Sequence, residues 1–348
     1  MTLAAPFPYF GGKRRAAPIV WPLLGDPSGY VEPFAGSAAV LLARPEFDGR
    51  RVETINDADG WLVNCWRSLQ LSPDAVASHA FGPVAEIDYH ARLAWLQARR
   101  SPDLVSWLEG DPEAHDPKAA GWWLYVTACG IGDAFGKGPW RVIDGHLRKL
   151  PHLGNAGRGV NRKLPHLGDA GRGVNRELPH LGDAGQGVNR ELPHLGDAGQ
   201  GQLAAYFGSL RDRLKRVRIT CGDWKRVVTP SVVRAGCGGD GSRAIFLDPP
   251  YSTSGDLYPE ATAGISAAVR DWCESADPKL KIVLCGYDEE HDALLSRGWT
   301  VRQGKAGGGA GYSKNAANGR RERLWCSPAC LSAEDDGLFR ETPLEAAR

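Results

Sequence analysis

The stretch "AIFLDPPYST", Ala244 to Thr253, decides how the chain folds. Ala244 to Leu247 is an apolar run of strand length. Asp248 follows at once, then Pro249, Pro250 and Tyr251. Neither proline has an N–H to donate, and each fixes φ, so a strand ladder cannot continue through them. A buried strand that stops on an acid and a rigid bend delivers a carboxylate to one edge of a sheet.

The same scheme recurs along the chain. "GYVEPFAGSAAVLL" reads as a short strand (Tyr30, Val31), the acid Glu32, a turn of small residues and a helix start. In "RVETINDADGWLVNCWRSL", Arg51 to Ile55 reads as a strand, Asn56 to Asp59 as an acidic turn and Trp61 to Leu69 as a helix. "RVRIT" leads into "CGDW", another strand ending near an acid, Asp223. After the opening stretch, "AGISAAVRDWCES" is a helix and "LKIVLCGY" a strand. "WTVRQGKA" and "RERLWCSP" flank a glycine-rich loop as antiparallel last strands. Strands alternating with helices predict an open doubly wound α/β sheet.

The middle of the chain has another texture. Residues 61 to about 135 are tryptophan-rich and helical in spacing, with Asp116 and Pro117 as cap and first residue of one helix. "GDAFGKGPWRVIDGH" is too rich in glycine for a helix and reads as a loop. "LPHLGNAGRGVNRK" begins at Leu150, and near-copies begin at Leu164, Leu178 and Leu192. Three glycines and a proline per copy oppose both helix and long strand, which predicts turns with short extended pieces or an array without fixed packing. His152, His166, His180 and His194 recur through this repetition and do not form a metal pattern. "QLAAYFGSLRDRLKRV" is an amphipathic basic helix. The predicted organisation is a discontinuous core, 1–60 and 202–330, with an inserted recognition region, 61–201, that carries the repeats at 150–201. An acidic, loosely held tail spans 331–348.

The chain has 348 residues, 42% of them hydrophobic, and a formal net charge of +1, so polyanion binding must come from local basic patches. No apolar run reaches membrane-spanning length, and the N-terminus lacks the order of a signal peptide. A cytoplasmic location is the expectation. Eight scattered cysteines without a C-x-x-C pair predict reduced thiols and no metal.

Ligands of open α/β sheets bind beyond the carboxyl ends of the strands. Four strand ends carry acids: Glu32, Asp57, Asp223 and Asp248. An ordinary turn with capping acids explains any one of them, whereas four suggest a cofactor with several hydrogen-bond donors. The turn in "EPFAGSAAV" is not the dinucleotide fingerprint G-x-G-x-x-G, and no G-x-x-x-x-G-K-[ST] phosphate loop is present. A cofactor without a pyrophosphate fits better, and S-adenosylmethionine is such a ligand. Asp57 ends the second strand, where an acid commonly takes ribose hydroxyls. Asp248 and the Pro249 carbonyl offer two acceptors for an exocyclic base amine, and Tyr251 a surface for an extruded base.

At these motifs the chain resembles the Dam-type (D12 class) DNA N6-adenine methyltransferases. "PYFGGK", "YVEPFAGSAAV", "INDAD" and "FLDPPY" match that family's motifs in its order, and the strong resemblance covers about 1–60 and 218–325. More faintly, "CGIGDAFGKGPWRV" and "SKNAANGRRERLW" are similar to its recognition and closing segments.

The resemblance implies a Rossmann-like methyltransferase sheet with an inserted, mainly helical target-recognition domain. It implies that Tyr9, Phe10, Gly11, Gly12 and Lys13 enclose the cofactor, and that Glu32, Pro33, Phe34, Ala35 and Gly36 line its methionine end. Asp57 would hold the ribose, and Asp223 and Trp224 the cofactor adenine. Asp248, Pro249, Pro250 and Tyr251 would hold the target adenine, with Asp248 also lining the cofactor site. Where many members carry a second glycine in the cofactor loop, this chain has Ala38 and Ala39.

Candidate phosphate contacts are Lys13, Arg14, Arg15, Lys137, Arg141, Arg320, Arg321 and Arg323. The partner is double-stranded DNA, with no membrane, the enzyme acting as a monomer or weak dimer. The expected activity is site-specific adenine-N6 methylation. Cytosine-N4 methylation, an RNA substrate and a catalytically silent DNA-binding module are the alternatives.

Overall fold

The computed structural model describes residues 3–7, 13–45, 51–82, 85–99, 103–129, 140–143, 146–149, 200–234, 241–250, 264–303 and 321–331. Seven strands form one mixed, mostly parallel sheet: β1 Gly29–Glu32, β2 Val52–Asp57, β5 Val217–Cys221, β6 Arg243–Leu247, β7 Lys281–Tyr287, β8 Thr300–Gln303 and β9 Glu322–Cys326. Their order is β5-β2-β1-β6-β7-β9-β8. Counted in chain order, that is third, second, first, fourth, fifth, seventh, sixth. Without the seventh strand it is the doubly wound Rossmann order. The opening strand is β6, and Ala244 to Leu247 are buried, as its composition requires.

The order reverses between β1 and β6, and that reversal is the topological switch point of the sheet. These two strands pair in parallel, Tyr30 opposite Ala244 and Val31 opposite Ile245. β7 continues the parallel set, Ile245 opposite Ile282. β9 runs antiparallel to both β7 and β8, as the flanks of the glycine-rich loop predict.

Contacts divide the chain into two compact units. One comprises Arg14–Phe34, Ala43–Thr54 and Val227–Arg348, and holds β1 and β6 to β9 with helices α1 Ala17–Leu24, α9 Pro230–Arg234 and α10 Ile265–Glu274. Helix α1 packs on β7, where the Lys281 ammonium donates to the Leu24 carbonyl at 2.9 Å. The other comprises Met1–Lys13, Ala35–Leu42 and Ile55–Arg226. Its helices are α2 Ala39–Leu42, α3 Gly60–Leu71, α4 Pro73–Ala80, α5 Glu86–Ala98, α6 Asp103–Gly110, α7 Pro117–Cys129 and α8 Gln200–Leu214. The contact division therefore groups α8 and β5 with these helices, whereas the sequence reading assigns residues 202–330 to the core.

Helix α7 is the centre of the helical unit, in contact with α3, α4 and α5. It starts as its sequence predicts: the Asp116 carboxylate accepts the Ala119 N–H at 2.9 Å, and Pro117 opens the helix. Nearly every side is buried, through Ala119, Ala120, Trp123, Leu124, Tyr125 and Val126. A helix apolar on most of its sides belongs largely in a core, and Lys118 and Trp122, both half-buried, mark its open side.

Gly121 is what lets α4 approach α7. A Cβ there would lie 2.5 Å from the His79 Cβ, 2.7 Å from the Val76 carbonyl oxygen and 2.8 Å from the Ala80 nitrogen. Two of these atoms are backbone and can yield only if the helices part. Gly121→Ala gains about 1 kcal/mol of helix propensity and loses about 1–3 kcal/mol or more to overpacking. Net destabilisation is expected, and urea unfolding followed by circular dichroism measures it. A variant as stable as the parent would refute the contact.

Three local readings are corrected. The segment read as a loop around Trp140 contains an antiparallel pair, β3 Trp140–Ile143 and β4 His146–Lys149, with Arg141 opposite Arg148. The glycines before Trp140 masked the short period-two runs after them. β2 extends through Asn56 and Asp57, so these residues belong to the strand and not to the turn. The basic face of α8 is interrupted, because Arg213 is buried and donates to the Leu41 carbonyl at 2.9 Å.

Cys65, Cys129, Cys221, Cys273, Cys285 and Cys326 are buried free thiols, and Cys330 is half-buried. Among the described residues, no group of three or more His, Cys, Asp or Glu could hold a metal, and no helix is long and apolar enough to cross a membrane. The repeats up to residue 199, the tail beyond Leu331 and Cys237 lie outside the described residues.

Candidate active site

At the switch point, the carboxyl ends of β1 and β6 carry two of the four acids that the sequence singles out. Glu32 is the last residue of β1 and only 2% exposed. The Tyr30 hydroxyl donates to its Oε1 at 2.7 Å, from the same face of the strand. Burial pushes the Tyr30 phenol well above its ordinary value, and the Glu32 and Glu53 charges push the same way. Tyr30 therefore remains a donor to Glu32. Its ring also packs on Trp21 at 4.8 Å.

Asp248 follows the last residue of β6 and is half-buried; Pro249 is buried and Pro250 half-buried. Both prolines stand past the end of the ladder, where the lack of an N–H breaks no strand pairing. Tyr251, the fourth residue of the motif, lies outside the described residues.

A buried ion pair supports the β1 side. Arg44, 1% exposed in its side chain, pairs with Glu53 at 2.8 Å and with Asp26. It also donates to the Pro27 carbonyl at 2.6 Å, and its guanidinium lies 5.3 Å from the centre of the Trp21 ring. Burial raises the Asp26 carboxyl, but hydrogen bonds from Arg51 and Arg44 outweigh it and leave the net shift below the ordinary value.

In the helical unit, the loop before α2 is held from four directions. The Ala35 N–H donates to the Asn56 carbonyl at 2.9 Å, and the Gly36 N–H donates to Asp57 Oδ2 at 3.0 Å. The indole N–H of Trp66 donates to the Gly36 carbonyl at 3.0 Å, and the Ala38 N–H donates to the Ala35 carbonyl at 2.7 Å. Phe7 packs against Trp66 at 5.4 Å and edge-on to Trp123 at 4.8 Å. Gly36 takes φ +48°, the left-handed region that glycine enters at no steric cost. Ala38 takes φ +49° while fully buried. A non-glycine residue in this region carries about 1–2 kcal/mol of local strain.

Asp57 has a structural share in that loop. Besides Gly36, its Oδ1 accepts the Asp59 N–H at 3.0 Å, and Asp59 in turn accepts the Trp61 N–H at 2.9 Å to cap α3. Burial pushes the Asp57 carboxyl up to about 6 from 3.8, and the backbone N–H donors of Asp59 and Gly36 limit the rise. Asn56, 2% exposed, ties the neighbouring strand: its amide donates to the Gly222 carbonyl at 3.0 Å, and its oxygen accepts from Thr220 Oγ1 at 3.0 Å. Asn56, Trp66 and Tyr30 are supports that sequence reasoning missed. Their signal was weak, an amide beside a strand-end acid, a tryptophan on a helix and a tyrosine two residues before Glu32.

Asp223 is exposed and shapes its own turn, accepting the Lys225 N–H at 2.8 Å. Trp224 beside it is 5% exposed. Lys13 is likewise 5% exposed, in a 3-10 turn with Arg14, which is half-buried. Pro33 is buried and Phe34 half-buried, directly after β1.

Beyond the carboxyl end of β7 lies a cleft of about 320 Å³, lined by Ser266, Arg270, Tyr287, Asp288, Glu290 and Arg321. Arg321 pairs there with Asp288 at 2.5 Å and lies 5.2 Å from the centre of the Tyr287 ring. Arg323 donates to the Glu322 carbonyl at 3.1 Å. Tyr9, Phe10, Gly11, Gly12, Lys137 and Arg320 lie outside the described residues, and so do the side chains of Arg15 and Arg141.

No protein-family model matches the chain, and no curated protein matches it significantly.

Proposed function

We propose that the chain is an S-adenosylmethionine-dependent DNA methyltransferase acting on the N6 amine of a flipped-out adenine. One observation carries the reading: the parallel strands at the switch point, β1 and β6, end in Glu32 and in Asp248-Pro249-Pro250. A switch point is where a doubly wound sheet takes its ligand. At that edge the buried Glu32 carboxylate offers an acceptor to an ammonium. In the helical unit the Asp57 carboxylate offers one to hydroxyls, beside the Gly36 turn that it holds.

S-adenosylmethionine supplies, when bound, a methyl group on a sulfonium that a neutral amine attacks directly. The chain's part is to prepare the amine. The Asp248 carboxylate accepts one amine hydrogen, and the Pro249 carbonyl, held in a bend, accepts the other. Two acceptors draw the nitrogen towards tetrahedral geometry and free its lone pair. Fixed acceptors are effective because they need no reorganisation when charge develops. Tyr251 stacks on the extruded base. The N–CH3 bond would form as the S–CH3 bond breaks, the surplus proton of the methylated amine would pass to Asp248 or to water, and no covalent enzyme intermediate is needed.

Cofactor binding should depend on Asp57. With its carboxyl at about 6, the acceptor charge is present above that pH and lost as pH falls through it. Affinity for S-adenosylmethionine is therefore expected to weaken between pH 7 and pH 5, and Asp57→Asn to flatten the profile; calorimetric titration across that range measures both. For stability the sign is opposite. The folded state holds a proton that the unfolded chain has lost, so this group's contribution declines as pH rises from about 4 to about 6.

The reading is tested by incubating the protein with methyl-labelled S-adenosylmethionine and duplex DNA, single-stranded DNA or RNA. Label entering duplex DNA supports it. Label entering RNA alone, or no label with no cofactor binding, overturns it.

A further inference from the structure

Helices α5 and α7 pack together, and cations along them stand over half-buried or buried aromatic rings. Arg99 lies 3.8 Å from the centre of the Trp95 ring, and Lys118 lies 5.0 Å from Trp95 and 4.5 Å from Trp122. Arg92 lies 3.8 Å from Tyr125 and 5.9 Å from Trp122. The two indoles meet edge to face at 4.8 Å and 70°. Both are half-buried, and Arg99 is exposed.

Among the described residues, none of the three cations has a carboxylate partner, and Arg92 Nη1 is enclosed with no hydrogen-bond acceptor. The nearby acids do not fill that gap. Asp116 is engaged in capping α7, and Asp88 lies one turn before Arg92. His79 shares the field: burial lowers its imidazole, and the Lys118 charge lowers it further.

Cations without carboxylate partners, spaced along two adjoining helices, match the regularly spaced phosphates of a duplex backbone. An acidic peptide is the competing polyanion. We propose that Arg92, Trp95, Arg99, Lys118 and Trp122 form a docking surface for the phosphodiester backbone of DNA. The proposal rests on the reading of the chain as a DNA-acting protein, but not on methyl transfer.

The test is fluorescence anisotropy with a labelled mixed-sequence 20-base-pair duplex, titrated at several salt concentrations, with polyglutamate as the competing polyanion. The triple variant Arg92→Gln, Arg99→Gln, Lys118→Gln is expected to bind at least about tenfold more weakly, with the slope of log affinity against log salt reduced by about 2.7 for three lost phosphate contacts. The charge-keeping set Arg92→Lys, Arg99→Lys, Lys118→Arg should retain the slope. Should the triple variant not fold, Arg99→Glu alone, at an exposed position, is expected to weaken binding. An unchanged slope in the folded charge-removed variant, or polyglutamate binding as tightly as duplex, overturns the surface. Duplex binding by the parent without methyl transfer would sink the enzyme reading and leave the surface standing.

Discussion

Asp248→Ala is expected to reduce methyl transfer by about 10²–10³-fold, the scale on which removal of a single preorganised polar group acts. Affinity for S-adenosylmethionine should stay within a fewfold of the parent. The asymmetry follows from the role assigned to the carboxylate. In the proposed mechanism it acts on the amine hydrogens as the nitrogen becomes nucleophilic, while Asp57 is the acceptor on which cofactor affinity is expected to depend. Asp248→Asn keeps one carbonyl acceptor but loses the charge, so it should fall between alanine and the parent. Single-turnover rates at saturating cofactor, paired with calorimetric affinities, separate the two effects. Unchanged turnover in Asp248→Ala would remove the catalytic assignment.

Arg44→Ala is expected to cost about 3–5 kcal/mol of stability, the range for breaking a buried ion pair from one side. The guanidinium is 1% exposed and answers Glu53, Asp26 and the Pro27 carbonyl at once. Its removal leaves Glu53, 1% exposed, as a buried charge without this partner. Arg44→Lys should restore only part of the loss, because one ammonium cannot fork to the same acceptors. Chemical denaturation measures both variants. A loss below about 1 kcal/mol for alanine, the scale of a surface pair, would show that the pair is not the anchor its burial implies.

The fold was legible because its strands announce themselves. β6 and β7 are apolar runs cut off by Asp248 and, for β7, by Tyr287 and Asp288. Such runs mark strands covered on both faces. The helical start at Pro117 was equally plain, since capping is local chemistry. What escaped was whatever depends on a distant partner. Nothing around Trp66 says that its indole will hold the Gly36 carbonyl, thirty residues away. Arg213 reads as part of a basic face until the Leu41 carbonyl is seen to take it. The Trp140 hairpin lost to its glycine-rich surroundings, since two four-residue strands carry too few residues to establish a period.

Of the candidate site, the acids at the ends of β1, β2 and β6 were legible from their places after apolar, strand-like runs. Their supports, Tyr30, Asn56 and the Asp59 cap, were not.

The central claim is that the group methylated is the amine of adenine. Duplex DNA treated with the protein and methyl-labelled S-adenosylmethionine, digested to nucleosides and resolved by mass spectrometry, tests it most directly. The account predicts label in N6-methyl-2′-deoxyadenosine alone, and its absence with Asp248→Ala. Label in N4-methyl-2′-deoxycytidine, or duplex recovered without label from a protein that binds the cofactor, would contradict it.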